Sequence, residues 1–219
     1  MVTLSEENYL KTIFHLGQEG TEAVSTNAIA EKIETKASSV TDMVKKLADK
    51  NLAHYVKYQG VTLTKKGRKA ATSVVRKHRL WEVFLVEKLN FKWDEVHEVA
   101  EQLEHVKSVK LIQELDAFLG FPRHDPHGDP IPDSEGNWTP VISSNILEVP
   151  KGTKGTLVQV KDSSDVFLKY LNKNGLRIGV QITVGAIEPF DQSLMISFEG
   201  KSLTISNVVA QNLLIQKIA

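Results

Sequence analysis

Six of the seven prolines of this chain fall between Pro122 and Pro150, and they separate two stretches that follow different periodicities. Proline lacks an amide hydrogen and fixes φ near about −65°, so FPRHDPHGDPIPDSEGNWTP can hold neither a helix nor a central strand. It reads as a long connector. Before it, apolar residues recur at helical spacing. After it come short strand-like runs, TLVQV, IGVQITV, SLMISF and SLTIS, broken at Gly185 and at the Glu199-Gly200 turn.

The first third is a helix, two more helices and a hairpin. Ser5 is the expected cap of a helix with Tyr9, Ile13, Phe14 and Leu16 on one side. Ser25 or Thr26 caps a second helix with Ile29, Ala30 and Ile33 inward. After a short turn, Val40, Met43, Val44 and Leu47 follow the i, i+3, i+4, i+7 stripe of an amphipathic helix. LAHYVKY and VTLT, joined at Gln59-Gly60, make two short strands. Helix, turn, helix and β-hairpin together are a winged helix-turn-helix. Thr64 is the expected cap of a long helix running to about residue 88, with further helices over about 93–106 and 108–119.

The exposed side of the third helix suits DNA. Lys36, Ser38, Ser39, Thr41, Asp42, Lys45 and Lys46 lie there, Thr26 opens the helix before it, and Lys57 lies on the hairpin. Small hydroxyl residues at a helix start can approach a groove and bond phosphates, and lysines neutralise them. Lys65, Lys66 and Arg68 extend the basic stretch. Charge agrees with this division. Residues 1–79 carry 14 Lys and Arg against 8 Asp and Glu, whereas residues 80–140 carry 5 against 13. The basic part could meet a polyanion and the acidic part a cation. Cysteine is absent, which excludes disulfide scaffolds, thiolate zinc sites and cysteine nucleophiles. The first residues, MVTLSEENYLKTIF, lack the pattern of a signal peptide, and no run of about 18 apolar residues occurs. The expectation is a soluble cytoplasmic protein without a membrane partner.

The acidic part carries a cluster with metal-ligand chemistry. His78 and Glu82 stand at i and i+4 on the long helix. At about 100° per residue, His97, Glu101, Glu104 and His105 fall within an arc of about 100° on the next one. Carboxylate and imidazole converging on one face are what a divalent transition metal takes up, and two such faces could serve one or two ions. An ion-paired surface helix is the plainer alternative. No Gly-rich phosphate loop, nucleophile elbow or separate base accompanies these residues, so an enzyme is not expected.

These pieces resemble the diphtheria toxin repressor family of metal-dependent transcriptional regulators. NYLKTI, SSVTDMVKKLADKNL, LTKKGRKAA, RKHRLWE, EVHEVAEQLEHV and HDPHGDPIP carry the resemblance, in order, over residues 5–132. RIGVQITV and SLMISFEGKSLTIS are similar to the SH3-like third domain of the longer members. The implied fold is mainly α with small β parts. It has a winged helix-turn-helix over residues 1–74, a helical metal-binding and dimerisation domain with the Pro-rich connector over 75–140, and an SH3-like (FeoA-like) domain over 141–219.

The resemblance implies a homodimeric repressor that binds a palindromic operator in double-stranded DNA when Mn(II) or Fe(II) is bound, and so controls manganese or iron homeostasis. Mn(II) is preferred because every expected donor is oxygen or imidazole. Carried over, a primary site would use Glu101, Glu104, His105 and Asn8. An ancillary site would use His78, Glu82 and His97, completed from the third domain, where Asp162 or Asp165 substitutes for the usual donors. Asp125 stands where one branch of manganese sensors has a primary-site cysteine ligand before Pro-His-Gly, and as an oxygen ligand it would join the primary site. His124 and His127 are expected to be exposed connector residues. Lys11 occupies the position of an acidic ligand in the short manganese sensors, and it cannot coordinate while protonated. The alternative function is a winged-helix regulator of a small organic ligand in which the His/Glu helix is structural.

Overall fold

The apolar stripe of the third helix decides the first core. In the structure, a computed structural model that describes residues 2–218, Val40, Val44 and Leu47 are fully buried. They pack with Leu10, Ile13, Phe14, Ile29, Leu52 and Val61 in one cluster. The helices α1 (Leu4–Leu16), α2 (Thr26–Lys32) and α3 (Ala37–Asp49) are followed by the antiparallel hairpin β1 (Ala53–Val56) and β2 (Gly60–Leu63). This is the expected winged helix-turn-helix. Thr3, not Ser5, caps α1: its hydroxyl accepts the Glu6 amide at 3.3 Å, and Glu6 Oε2 accepts the Thr3 amide at 3.0 Å. Thr3-x-x-Glu6 is a capping box, which outbids a serine already inside the helix. Ser25 caps α2, accepting the amide of Ala28.

Thr64 opens α4 (Lys65–Leu89), its hydroxyl taking the amide of Gly67 at 3.0 Å. Gly67 is obligatory there, because a Cβ would fall 1.8 Å from the carbonyl oxygen of Leu52. The two helices expected next are shorter than the pattern suggested: α5 spans Val96–Leu103 and α6 spans Val109–Phe118. The Pro-rich stretch after α6 holds neither helix nor strand until β3 (Ser144–Asn145).

The last third is an antiparallel sheet in the order β3-β8-β4-β5-β6-β7. Its strands are β4 (Lys154–Val160), β5 (Gln181–Ile187), β6 (Leu194–Phe198), β7 (Lys201–Ile205) and β8 (Leu213–Lys217). The four expected strands are present. β3, β8 and the helices α7 (Asp165–Asn174) and α8 (Asn207–Ala210) were not foreseen. Gly185 does not break its strand: it lies within β5 at a register shift between Val184 and Ile187, against the Met195 carbonyl of β6. The sheet encloses its own core, with Leu157, Leu171, Leu176, Ile196, Leu213 and Ile215 fully buried.

By contacts the chain forms two units. One comprises residues 1–81, 101–114 and 132–138; the other comprises 82–100, 115–131 and 139–219. The first unit's start depends on Glu6, buried yet bonded to Thr3 and held by Lys50 Nζ at 2.6 and 2.9 Å. Glu6→Ala removes the cap partner and strands Lys50. It should cost about 1–2 kcal/mol in the unfolding of this unit, read by thermal or denaturant melting, with no effect on metal stoichiometry.

Candidate metal centre

Two clusters of titratable side chains arise, one in each unit. In the first unit the centre is Glu104, whose carboxylate is 1% exposed. α5 ends at Leu103, so Glu104 and His105 lie in the turn that follows it, off the helical arc that the sequence suggested. Glu104 Oε2 accepts from Lys11 Nζ of α1 at 2.7 Å and meets His78 Nδ1 of α4 at 2.6 Å. Lys11 Nζ also reaches Glu101 Oε1 at 3.3 Å. His105 directs Nε2 toward Glu104 Oε1 at 3.7 Å, while its Nδ1 lies 2.7 Å from Glu7 Oε2. Burial acts to raise the Glu104 pKa, but the hydrogen bond from His78 and the charge of Lys11 outweigh it and hold the carboxyl below its ordinary range.

Glu7, which no local spacing marks, holds the imidazole of His105 in place. An ionised carboxylate only accepts, so Nδ1 donates to Glu7, and Nε2 is the nitrogen that faces Glu104. Glu7, Asn8 and Lys11 share a side of α1, at i, i+1 and i+4. Asn8 is half-buried, and its amide bonds no described residue.

In the second unit the centre is Glu82, also buried. His97 Nδ1 lies 3.6 Å from Glu82 Oε1, and His127 Nδ1 lies 3.6 Å from Glu82 Oε2. Glu82, Asp125 and His127 are all buried, and each offers one donor atom within 4.8 Å of the others, so Asp125 clusters with Glu82 rather than with the expected primary-site residues. Glu104 and His105 leave the face that His97 and Glu101 share on α5, and His97 pairs with Glu82, the partner the resemblance implied for it.

The largest correction concerns His127, expected to be solvent-exposed but only 2% exposed. His124 is exposed, as expected. Asp125 folds the connector back on itself, accepting the amides of His127 at 2.8 Å and Asp129 at 3.0 Å through Oδ1. Gly128, at φ +89°, lets the loop approach β4, where a Cβ would lie 2.0 Å from the Val158 carbonyl oxygen. His127 Nε2 lies 2.8 Å from the Trp93 carbonyl oxygen, which can only accept. Nδ1 is thus the nitrogen that faces the two carboxylates. Burial acts to lower the His127 pKa, but the hydrogen bond and charge of Glu82, with Asp125 and Trp93 adding to them, push it up to about 9. Asp162 and Asp165 do not join this cluster. Asp162 accepts the Ser164 amide, and Asp165 pairs with Lys169 at 2.8 Å on α7.

Both clusters fit a divalent ion by donor type. Each combines carboxylate oxygen with an imidazole whose other nitrogen is already committed, as metal-bound histidines require.

The helix that would meet DNA is also exposed where expected. Lys36, Ser38, Ser39, Asp42, Lys45, Lys46 and Lys57 are exposed; Thr26 and Thr41 are half-buried. The Thr41 hydroxyl donates to the Ala37 carbonyl at 2.9 Å, so it is spent on its own helix. Lys36 precedes α3 without a side-chain cap. Tyr58, not singled out from sequence, is 93% exposed at the hairpin tip beneath Lys57 Nζ. Arg68 is engaged by Glu19 at 2.7 Å.

Known proteins resemble this chain along nearly its whole length. Residues 1–61 match the iron dependent repressor N-terminal DNA binding domain, 64–133 the iron dependent repressor metal binding and dimerisation domain, and 145–217 the FeoA domain. A solved structure of a manganese-dependent transcriptional repressor in complex with manganese is 34% identical, covers 97% of this chain and 100% of its own, and superposes with a TM-score of 0.89. The chain belongs to the iron-dependent repressor family. The manganese regulator SloR is 37% identical over 97% of this chain and 98% of its own, with a TM-score of 0.78. The iron-dependent repressor IdeR of Mycobacterium leprae is 29% identical over 97% of this chain and 96% of its own. The family expected from the sequence is thus borne out, as is its three-part fold. No helix among the described residues is long and apolar enough to cross a membrane.

A pH prediction follows from His127 in the metal-free chain. Its pKa is raised above the ordinary 6.5, so the stabilisation by Glu82 and Asp125 is complete below that value and is lost as pH rises through about 9. Denaturant unfolding with chelator present should show the unit losing about 3 kcal/mol between those limits. His127→Gln should flatten that dependence; an unchanged slope would refute the pairing.

Proposed function

We propose that this chain is a metal-dependent transcriptional repressor that binds operator DNA as a homodimer when Mn(II), or Fe(II), fills its acidic clusters. The observation that carries this reading is the double use of α1. One side of α1 contributes Leu10, Ile13 and Phe14 to the core shared with the DNA-facing helix α3. The other side sends Glu7 and Lys11 to His105, Glu104 and Glu101. Whatever changes at Glu104 is therefore felt by the winged helix.

In the primary site, Glu101, Glu104 and His105 would hold the ion, with Asn8 adding its carbonyl oxygen from α1. Glu7 orients His105. Glu82, Asp125 and His127 form the second candidate site, next to His97, and His78 bonds Glu104 in the first unit. The bound cation supplies positive charge between carboxylates and nothing else; no bond is made or broken, and the chain is no enzyme. A ligand shifts a conformational equilibrium only through its differential affinity, so the ion must favour the arrangement that meets DNA.

Lys36, Ser38, Ser39, Lys45 and Lys46 on α3 and Lys57 on the hairpin would contact the operator. In a twofold dimer two such helices face half-sites separated by a turn of DNA or a multiple of it, hence a palindromic operator. Trp81, Leu85, Ile112 and Leu115 are buried within the chain. Val109, Leu111, Phe118 and Phe121 are exposed by 70, 43, 64 and 67% and would supply the dimer contact. A small organic effector finds no comparable support: the titratable clusters are built of metal-type donors.

The test is operator binding by fluorescence anisotropy. Chelator should weaken binding by at least about tenfold, or 1.4 kcal/mol, and Glu104→Ala or His105→Ala should reproduce this with Mn(II) present. Lys45→Ala should weaken DNA binding and lower its salt slope by about one while leaving metal stoichiometry unchanged. Equal affinity with and without metal would refute the reading.

The metal itself is tested by activation. Every proposed ligand is hard or borderline, so Zn(II) should bind at least as tightly as Mn(II) by the Irving–Williams order. At equal occupancy, Mn(II) and anaerobic Fe(II) should restore operator binding fully and Zn(II) less well. Full activation by Zn(II) alone would overturn the assignment.

A further inference from the structure

Lys11 stands where a cation is wanted. Its ammonium lies 2.7 Å from Glu104 Oε2 and 3.3 Å from Glu101 Oε1, two of the three groups assigned above to the primary ion. The side chain is 13% exposed and Glu104 is 1% exposed, so the pair is little screened by water. Lys11 comes from α1, and Glu101 and Glu104 come from the end of α5 and the turn after it, so the contact bridges 93 residues of sequence. An isolated carboxylate buried to this degree would be costly, and Lys11 supplies the compensating charge.

We propose that Lys11 is a built-in competitor for the metal: its ammonium occupies the carboxylates of Glu101 and Glu104 in the metal-free chain, and an entering ion must displace it. This rests on the reading that Glu101, Glu104 and His105 hold the ion. The same two oxygens cannot be ligated at full strength while they accept from an ammonium. A dication arriving beside a fixed positive charge also meets like-charge repulsion, which a low-dielectric site magnifies. Lys11 thus sets the metal concentration at which the primary site fills. It also ties α1 to the turn after α5 before any metal arrives.

The test measures metal, not DNA. Mn(II) binding to the full chain, followed by the paramagnetic signal of the free ion, is compared for wild type, Lys11→Met, Lys11→Arg and Glu104→Gln. Lys11→Met keeps length and apolar stem but removes the charge, and should tighten the primary site by about tenfold. Lys11→Arg keeps the charge and should stay within about threefold of wild type. Glu104→Gln should lose the site. If Lys11→Met binds Mn(II) as wild type does while Glu104→Gln loses the site, the competitor role is wrong and the ligand assignment stands. If Glu104→Gln binds normally, the ligand assignment fails and the competitor role falls with it.

A second measurement uses the unaltered chain and does not depend on how the variants fold. Amine acetylation read by mass spectrometry should find Lys11 slow to react with chelator and several-fold faster with Mn(II) bound. A rate at Lys11 that ignores the metal would overturn displacement.

Discussion

The buried carboxylate of Glu104 is the constraint around which the first unit is arranged. Its solvation is gone, so the charge must be met by protein groups, and two segments supply them: Lys11 from α1 and His78 from α4. Each segment has a second attachment. α1 is fixed by its apolar side in the core with Val44 and Leu47, and α4 is anchored at Gly67 against Leu52. The carboxylate therefore links helices that would otherwise be joined only by apolar packing, which is non-directional. In the proposed mechanism a change of charge at one oxygen would be transmitted, because close-packed helices have few intermediate arrangements.

Much of this was legible in sequence, and the reasons are particular. The stripe Val40, Val44, Leu47 on a basic helix, followed by a hairpin at Gly60, specifies a winged helix because each local preference agrees with the next. The cluster on residues 78–105 was visible as residue types, since carboxylates and histidines at short spacing are rare on an apolar-backed helix. Its partition was not visible. Helical periodicity assumes the helix continues, and α5 ends at Leu103, before Glu104 and His105. Long-range partners such as Glu7, 98 residues from His105, leave no trace in local spacing.

His127 was misjudged for a related reason. A segment dense in proline and charge is expected at the surface, because its backbone groups lack partners in a regular ladder. Here Asp125 replaces the ladder by accepting two amides, and the His127 carbonyl accepts the Val160 amide at 3.0 Å from β4. Proline ruled out helix and strand correctly but did not rule out burial. The one local signal was Asp-x-x-Gly: a side chain able to accept amides, then a residue able to take positive φ beside a strand. α7 and β8 were missed more simply, since a ten-residue helix beginning at a Ser164 cap and a five-residue strand fall below what an isolated pattern can distinguish.

Both candidate centres solve the same chemical problem. A neutral imidazole in water exchanges between tautomers and rotates, so it is a poorly directed donor. His105 and His127 are each held at one nitrogen by a group that can only accept, the Glu7 carboxylate at 2.7 Å and the Trp93 carbonyl at 2.8 Å. In each case the acceptor comes from a segment distant in sequence, and the other nitrogen faces a buried glutamate. The difference between the sites lies in what neutralises that glutamate without metal. Glu104 is met by the ammonium of Lys11. Glu82 is met by His127 itself, whose proton is lost on the way to pH 9 and must leave before its nitrogen can ligate. As proposed, the first site would exchange the Lys11 ammonium for a metal, and the second would exchange the His127 proton for one, so metal binding at the second would weaken as pH falls below about 9.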